Sequence, residues 1–216
     1  MDAPIYHYCV LSKPESAHRA GEINDIDMEN VDYKRQPDVE ATASAITKEG
    51  GTCCGIFRGG MFGLATNQIA ILSAWPESGQ GQSVLSKFSE IHEYRLIKES
   101  DLIATVRPAI GEVCEREGIY VIRWIRMQQT DVDEYTRLCL ETWPRFESLT
   151  QSRCFGVFRP RESGEIIKLL MLTWYATLHD WETSRQLDPH DAPKWARRSE
   201  MELSHWAEAG RLATIA

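Results

Sequence analysis

The chain has 216 residues, 43% hydrophobic and 26% charged, the balance of a globular protein with room for one large domain or two of about 100 residues. Its formal net charge of −8 speaks against nucleic-acid backbones and anionic membranes as main partners, because both recruit Lys and Arg. No apolar run approaches the roughly 18 residues of a membrane span, and the start, Met1-Asp2-Ala3-Pro4, lacks the basic and apolar regions of a leader, so a cytoplasmic location is expected.

Ile5 to Leu11, rich in aromatic and β-branched residues, reads as a strand closed by Lys13-Pro14. The acidic stretch from Glu15 to Gln36 has little periodicity and reads as a long insertion, a surface excursion or a lid. Pro37-Asp38 opens a helix to Lys48, with Ala41, Ala45 and Ile46 at helical spacing, and Gly50-Gly51 ends it. Cys53 to Arg58 and Gln68 to Trp75 are strands joined through Gly59-Gly60-Met61-Phe62-Gly63. Because both flanks are extended, those glycines are expected to turn the chain rather than hold a phosphate. A linker from Pro76 to Gln82 leads into a helix from Ser83 to Leu96, and Asp101 to Arg107 is a strand stopped by Pro108.

After the connector from Gly111 to Gly118 the order repeats. Tyr120 to Met127 is a strand, Asp131 opens a helix, Phe155 to Arg159 and Ile166 to Tyr175 are paired strands, and helix follows. Gly55-Ile56-Phe57-Arg58 matches Gly156-Val157-Phe158-Arg159, and Ile71-Leu72-Ser73-Ala74-Trp75 matches Met171-Leu172-Thr173-Trp174-Tyr175. Ala104-Thr105-Val106 matches a closing segment at Ala213-Thr214-Ile215. The chain therefore reads as an α+β protein of two tandem ferredoxin-like repeats, 1–117 and 118–216. Each repeat would cover one face of its sheet with helices, and the two bare faces would pack together and close a barrel within one chain.

Tyr120-Val121-Ile122-Arg123-Trp124, and Leu172-Thr173-Trp174-Tyr175 followed by Leu178-His179-Asp180-Trp181-Glu182, resemble the opening strand and the later strand and helix of NIPSNAP proteins. The resemblance covers 118–216 directly and 1–117 through the repeat. It implies the dimeric α+β barrel superfamily, whose members include antibiotic biosynthesis monooxygenases, EthD-like proteins, polyketide cyclases and haem-binding relatives. The first repeat departs from the pattern with Cys9 where Arg123 aligns, so a site is expected in one repeat and degenerate in the other.

The superfamily's cavity lies between a sheet and its helices, and polar residues on the strands are the candidates for it. His7, of a residue type that titrates near neutrality, is the candidate general base; Arg123 is the candidate oxyanion or carboxylate holder, with Tyr120 beside it. Tyr6, Tyr8, Trp124, Trp174 and His179 are candidates for binding substrate. Arg58 and Arg159 recur at equivalent strand ends and suggest pairing with carboxylates. Six cysteines, at 9, 53, 54, 114, 139 and 154, show no Cys-x-x-Cys, and no His-x-His or His-x-x-x-His occurs, so buried thiols and no metal are expected.

The resulting expectation is a small-molecule enzyme of monooxygenase or cyclase type, acting on an aromatic or polyketide-like substrate without metal, nucleotide or other cofactor. His92 on the first repeat's second helix is the alternative, a haem ligand such as related families use. The other reading is a non-catalytic NIPSNAP-like binding protein. Either leaves room for a homodimer.

Overall fold

The computed structural model describes residues 3–13, 39–186 and 189–213. The first half contains β1 Ile5–Ser12, α1 Val39–Lys48, β2 Thr52–Arg58, β3 Gln68–Trp75, α2 Gln80–Ile91 and β4 Arg95–Ala104. The second contains β5 Ile119–Gln128, α3 Val132–Leu149, β6 Ser152–Pro160, β7 Ile166–Tyr175, α4 Leu178–Thr183, α5 Ala192–Met201 and β8 Ser204–Leu212.

The eight strands close a barrel in the order β1-β3-β2-β8-β5-β7-β6-β4. Each half thus supplies a four-stranded antiparallel sheet, β4-β1-β3-β2 or β8-β5-β7-β6, which is the expected ferredoxin-like order twice over. Two short seams join them. Phe57 pairs with Leu212 and Arg58 with Arg211 on one side; Leu102, Ile103 and Ala104 pair with Pro160, Arg159 and Phe158 on the other. Closure leaves no long open edge.

Alternation along the strands sorts side chains between two environments. Tyr6, Tyr8 and Val10 of β1, with Tyr120, Ile122 and Trp124 of β5, enter one interior cluster together with Phe57, Phe158 and Leu172. Cys9 and Leu11 face outward under α1 and α2; Ile125 and Met127 face outward under α3, in a cluster that Met201 of α5 joins. The interior cluster draws on both halves, so the apolar face that each sheet leaves bare is covered by the other.

The register preserves the duplication. Cys9 stands opposite Ile71, as Arg123 does opposite Met171. A register shift falls between Cys53 and Gly55 in one half and between Cys154 and Gly156 in the other. The same bulge therefore bends the equivalent strand in each half.

Three expectations are corrected. Helix α2 ends at Ile91 rather than Leu96, because His92 caps it and Glu93 turns into the left-handed region at φ 57° without a glycine to announce it. Strand β4 begins at Arg95, its charged residues hidden from a pattern search by their alternate exposure. The closing strand is Ser204–Leu212, which ends before Ala213. Its Ala, Glu and Gly content has low strand propensity, but it pairs residue by residue with β5 from Ile119 to Arg126. Gly210 is required there, since a Cβ would stand 2.8 Å from the Arg58 carbonyl oxygen across the seam. Residues 214–216, the insertion 15–36 and the helix start at 37–38 lie outside the described residues.

Candidate functional site

The two halves differ in how helices meet the sheet. In the first, α2 lies on β1, β3 and β4. It comes so close at Gly81 that a Cβ there would be 2.5 Å from the His7 Cβ and 2.6 Å from the Trp75 Nε1. In the second, α5 leans on α3 instead, and α4 is a short helix of six residues near β7. The outer face of the second sheet is left with a cleft of about 550 Å³, within the usual range for a small-molecule site.

The cleft has an aromatic and apolar wall, made by Trp143, Phe146, Leu149, Met171 and Trp195. Phe146 and Trp195 contact each other with ring centres 5.8 Å apart. The polar lining contains four arginines, Arg123, Arg145, Arg185 and Arg198, against the carboxylates Asp191 and Glu202. A molecule of net charge −8 therefore collects positive charge here.

Both carboxylates have partners. Arg198 is 3% exposed, with its guanidinium between the rings of Trp195 and Tyr135, 4.4 and 4.7 Å from their centres. Its Nη2 donates to the Tyr135 hydroxyl at 3.0 Å, and that hydroxyl donates to Glu202 Oε1 at 3.1 Å. Burial pushes the Tyr135 phenol well up, with the Arg198 charge pulling the other way, so Tyr135 stays a neutral donor. Glu202 Oε2 lies 2.8 Å from His205 Nδ1. Asp191 is 3.1 Å from His190 and 3.8 Å from Lys194.

Arg123 and Arg185 are different. Neither has a carboxylate partner among the described residues; Arg185 covers the Trp181 ring at 4.7 Å. Burial, and then the like charge of Arg123, hold the Arg185 guanidinium below its ordinary value. Tyr175 stands beside them, its phenol pushed up by burial and drawn the other way by Arg123.

The sequence-derived candidates fall into three places. Arg123 lines the cleft. His7 is buried beneath α2 in the other half, its Nδ1 2.8 Å from Asp101 Oδ1 and its Nε2 without a hydrogen-bond partner. The fold does not bring these two residues together, because they lie on the outer faces of different halves. Tyr6, Tyr8, Tyr120 and Trp124 point into the barrel. Trp174 packs at the edge of that interior and donates to the Glu117 carbonyl at 2.9 Å, while His179 is exposed on α4. Arg58 and Arg159 make no ion pair among the described residues, and the Arg58 Nε is buried without a partner. The pairing expected for them is replaced by their place in the strand seams.

Sequence reasoning missed Tyr135, Arg185, Arg198, Glu202 and His205. The available signal was spacing: Trp195, Arg198 and Glu202 recur at three and four residues, one side of a helix turn. His205 was hidden by the unrecognised strand.

No protein-family model and no curated protein matches the sequence. Solved structures do match in fold. An anthrone oxidase-like protein has 9% identity and a TM-score of 0.61 over 99% of this chain and 92% of its own. A monooxygenase-like protein of Lactobacillus acidophilus has 12% identity and a TM-score of 0.55, covering 100% of this chain and 98% of its own. A chlorite dismutase variant from Candidatus Nitrospira defluvii has 8% identity and a TM-score of 0.60, covering 98% and 92%. The chain thus has the dimeric α+β barrel fold, built within one polypeptide. The expectation of an enzyme without a cofactor is corrected by these neighbours, since chlorite dismutases are haem-binding. No helix of the described residues is long and apolar enough to cross a membrane.

Proposed function

We propose that the protein is an enzyme that oxidises a small organic molecule, of oxidase or monooxygenase type, with the cleft of the second half as its active site. The observation that carries this reading is the meeting, in one cleft, of an aromatic wall with buried Arg198, hydrogen-bonded to Tyr135 and through it to Glu202, and with His205, whose Nδ1 lies 2.8 Å from Glu202. The names of the similar structures, anthrone oxidase-like and monooxygenase-like, support it.

The cleft's donors also fit a haem. His205 is the one histidine among the described lining residues, and with Glu202 2.8 Å from its Nδ1 it is the residue that would hold the iron. His92 is unsuited: it is exposed, stacked on Phe88 at 4.2 Å, and does not line the cleft. When bound, the haem would supply the redox step. The protein's own part is then defined by its residues. Glu202 positions His205, Tyr135 holds Glu202, Trp143 and Phe146 exclude water, and Arg123 orients the substrate. The NIPSNAP likeness, a biosynthetic role, a cytoplasmic location and a homodimer belong to this proposal and rest on the sequence.

The test is the absorbance of purified protein before and after hemin addition, with dioxygen uptake on anthrones and hydroxylated aromatic acids. A Soret band that His205→Ala abolishes, with hemin affinity lowered about 10- to 100-fold by Glu202→Gln, is the expected result. A folded protein that takes up neither hemin nor dioxygen would overturn the reading.

A further inference from the structure

We infer that the cleft selects a planar aromatic acid, with its carboxylate between Arg123 and Arg185 and its ring on the wall of Trp143, Phe146 and Trp195. The inference rests on the cleft being the active site and adds the class of molecule it takes.

Three observations carry it. Arg123 and Arg185 line the same cleft and the like charge of Arg123 bears on Arg185, yet no carboxylate of the described residues pairs with either. The carboxylates that line the cleft cannot serve this purpose, because Glu202 is held by Tyr135 and His205, and Asp191 by His190 and Lys194. Behind them Arg198 adds a buried positive charge whose Nε and Nη1 have no partner. Two guanidinium groups that line one cleft without a carboxylate are stabilised when an anion enters, and a guanidinium matches the two oxygens of a carboxylate by its fork of donors. The aromatic part follows from the wall, whose indole and phenyl rings offer flat apolar surface. A neutral ligand of the same shape would bury the same surface and leave the arginines uncompensated.

The test compares 2-naphthoate with 2-naphthamide, two probes of nearly equal size and shape that differ in charge. Binding is read from the quenching of tryptophan fluorescence and confirmed by calorimetry, on the full chain, for wild type and for Arg123→Gln and Arg185→Gln. Wild type is expected to bind 2-naphthoate at least tenfold more tightly than 2-naphthamide, as charge-assisted hydrogen bonds imply. Each substitution should remove most of that preference and leave 2-naphthamide unchanged. If a variant fails to fold, the preference of wild type decides the matter by itself. Equal binding of the two probes would overturn the acid assignment and leave the cleft standing as a site. Binding of neither would overturn both. A last arm separates substrate from cofactor, since haem also carries carboxylates: 2-naphthoate is expected to bind protein already loaded with hemin. Exclusion of 2-naphthoate by hemin would give the arginines to the cofactor and overturn the substrate assignment.

Discussion

His7 shows how a residue of catalytic type becomes structural. It is 2% exposed, its Nδ1 is 2.8 Å from Asp101, and the second Asp101 oxygen accepts from the Ser78 hydroxyl at 2.9 Å and the Gly79 amide at 3.1 Å. Burial alone would raise the Asp101 carboxyl. The hydrogen bonds from His7, Ser78 and Gly79 outweigh it and hold the group below its ordinary value. Because the folded value is the lower one, the stabilisation is complete above the unfolded value near 4 and is lost as pH falls through the folded value. Urea unfolding of wild type should therefore show stability declining below about pH 4, and Asp101→Asn should remove part of that decline. At pH 7 the same substitution is expected to cost about 1–3 kcal/mol, because His7 and Ser78 lose a charged acceptor. An unchanged acid slope would show that Asp101 is not the group responsible. The sequence pointed to His7 by residue type alone, and residue type does not say whether a nitrogen faces a cavity or a helix.

At the scale of elements, the difference between the halves comes down to how close a helix can approach. Gly81 in α2 lets that helix settle onto His7 and Trp75. Alanine there would gain about 1 kcal/mol in helix propensity at most. The added Cβ would stand 2.5 Å from the His7 Cβ, next to the β1 backbone, and overpacking of this kind costs about 1–3 kcal/mol. Gly81→Ala is thus expected to destabilise the protein in chemical denaturation; a neutral or stabilising effect would mean that α2 has room to shift. Elements with strong patterns were legible: Gln68–Trp75 and Ile166–Tyr175 fall where their apolar runs place them. Elements fixed by partners were not. Strand β8 is held by its pairing with β5 and its small residues fit against Phe57, neither of which its own sequence reveals. The cleft was hidden for the same reason, as it depends on α5 resting on α3 rather than on the sheet.

The whole molecule depends on contacts that cross between the repeats. Tyr6 meets Phe158 edge-on at 5.0 Å, Tyr8 meets Trp124 at 5.3 Å, and Phe57 meets Tyr120 at 4.9 Å; each pair joins one half to the other. This interior is where the bare sheet faces expected from the sequence meet, because each repeat carries aromatic residues at positions its own helices do not cover. Phe158 is fully buried, and Phe158→Ala is expected to cost about 3–5 kcal/mol. The loss should fall on one transition, since the cavity opens between the halves rather than inside either. Cutting at the proposed boundary gives a stricter form of the same prediction. Fragments 1–117 and 118–216 should each lack a cooperative unfolding transition when expressed alone, because an uncovered inner face leaves large apolar side chains in water. Expressed together, they should recover a single transition through the two seams and the three aromatic pairs. A cooperative transition for 118–216 alone would mean that the second sheet is stable without its partner, and that the barrel is an association of two domains rather than one fold.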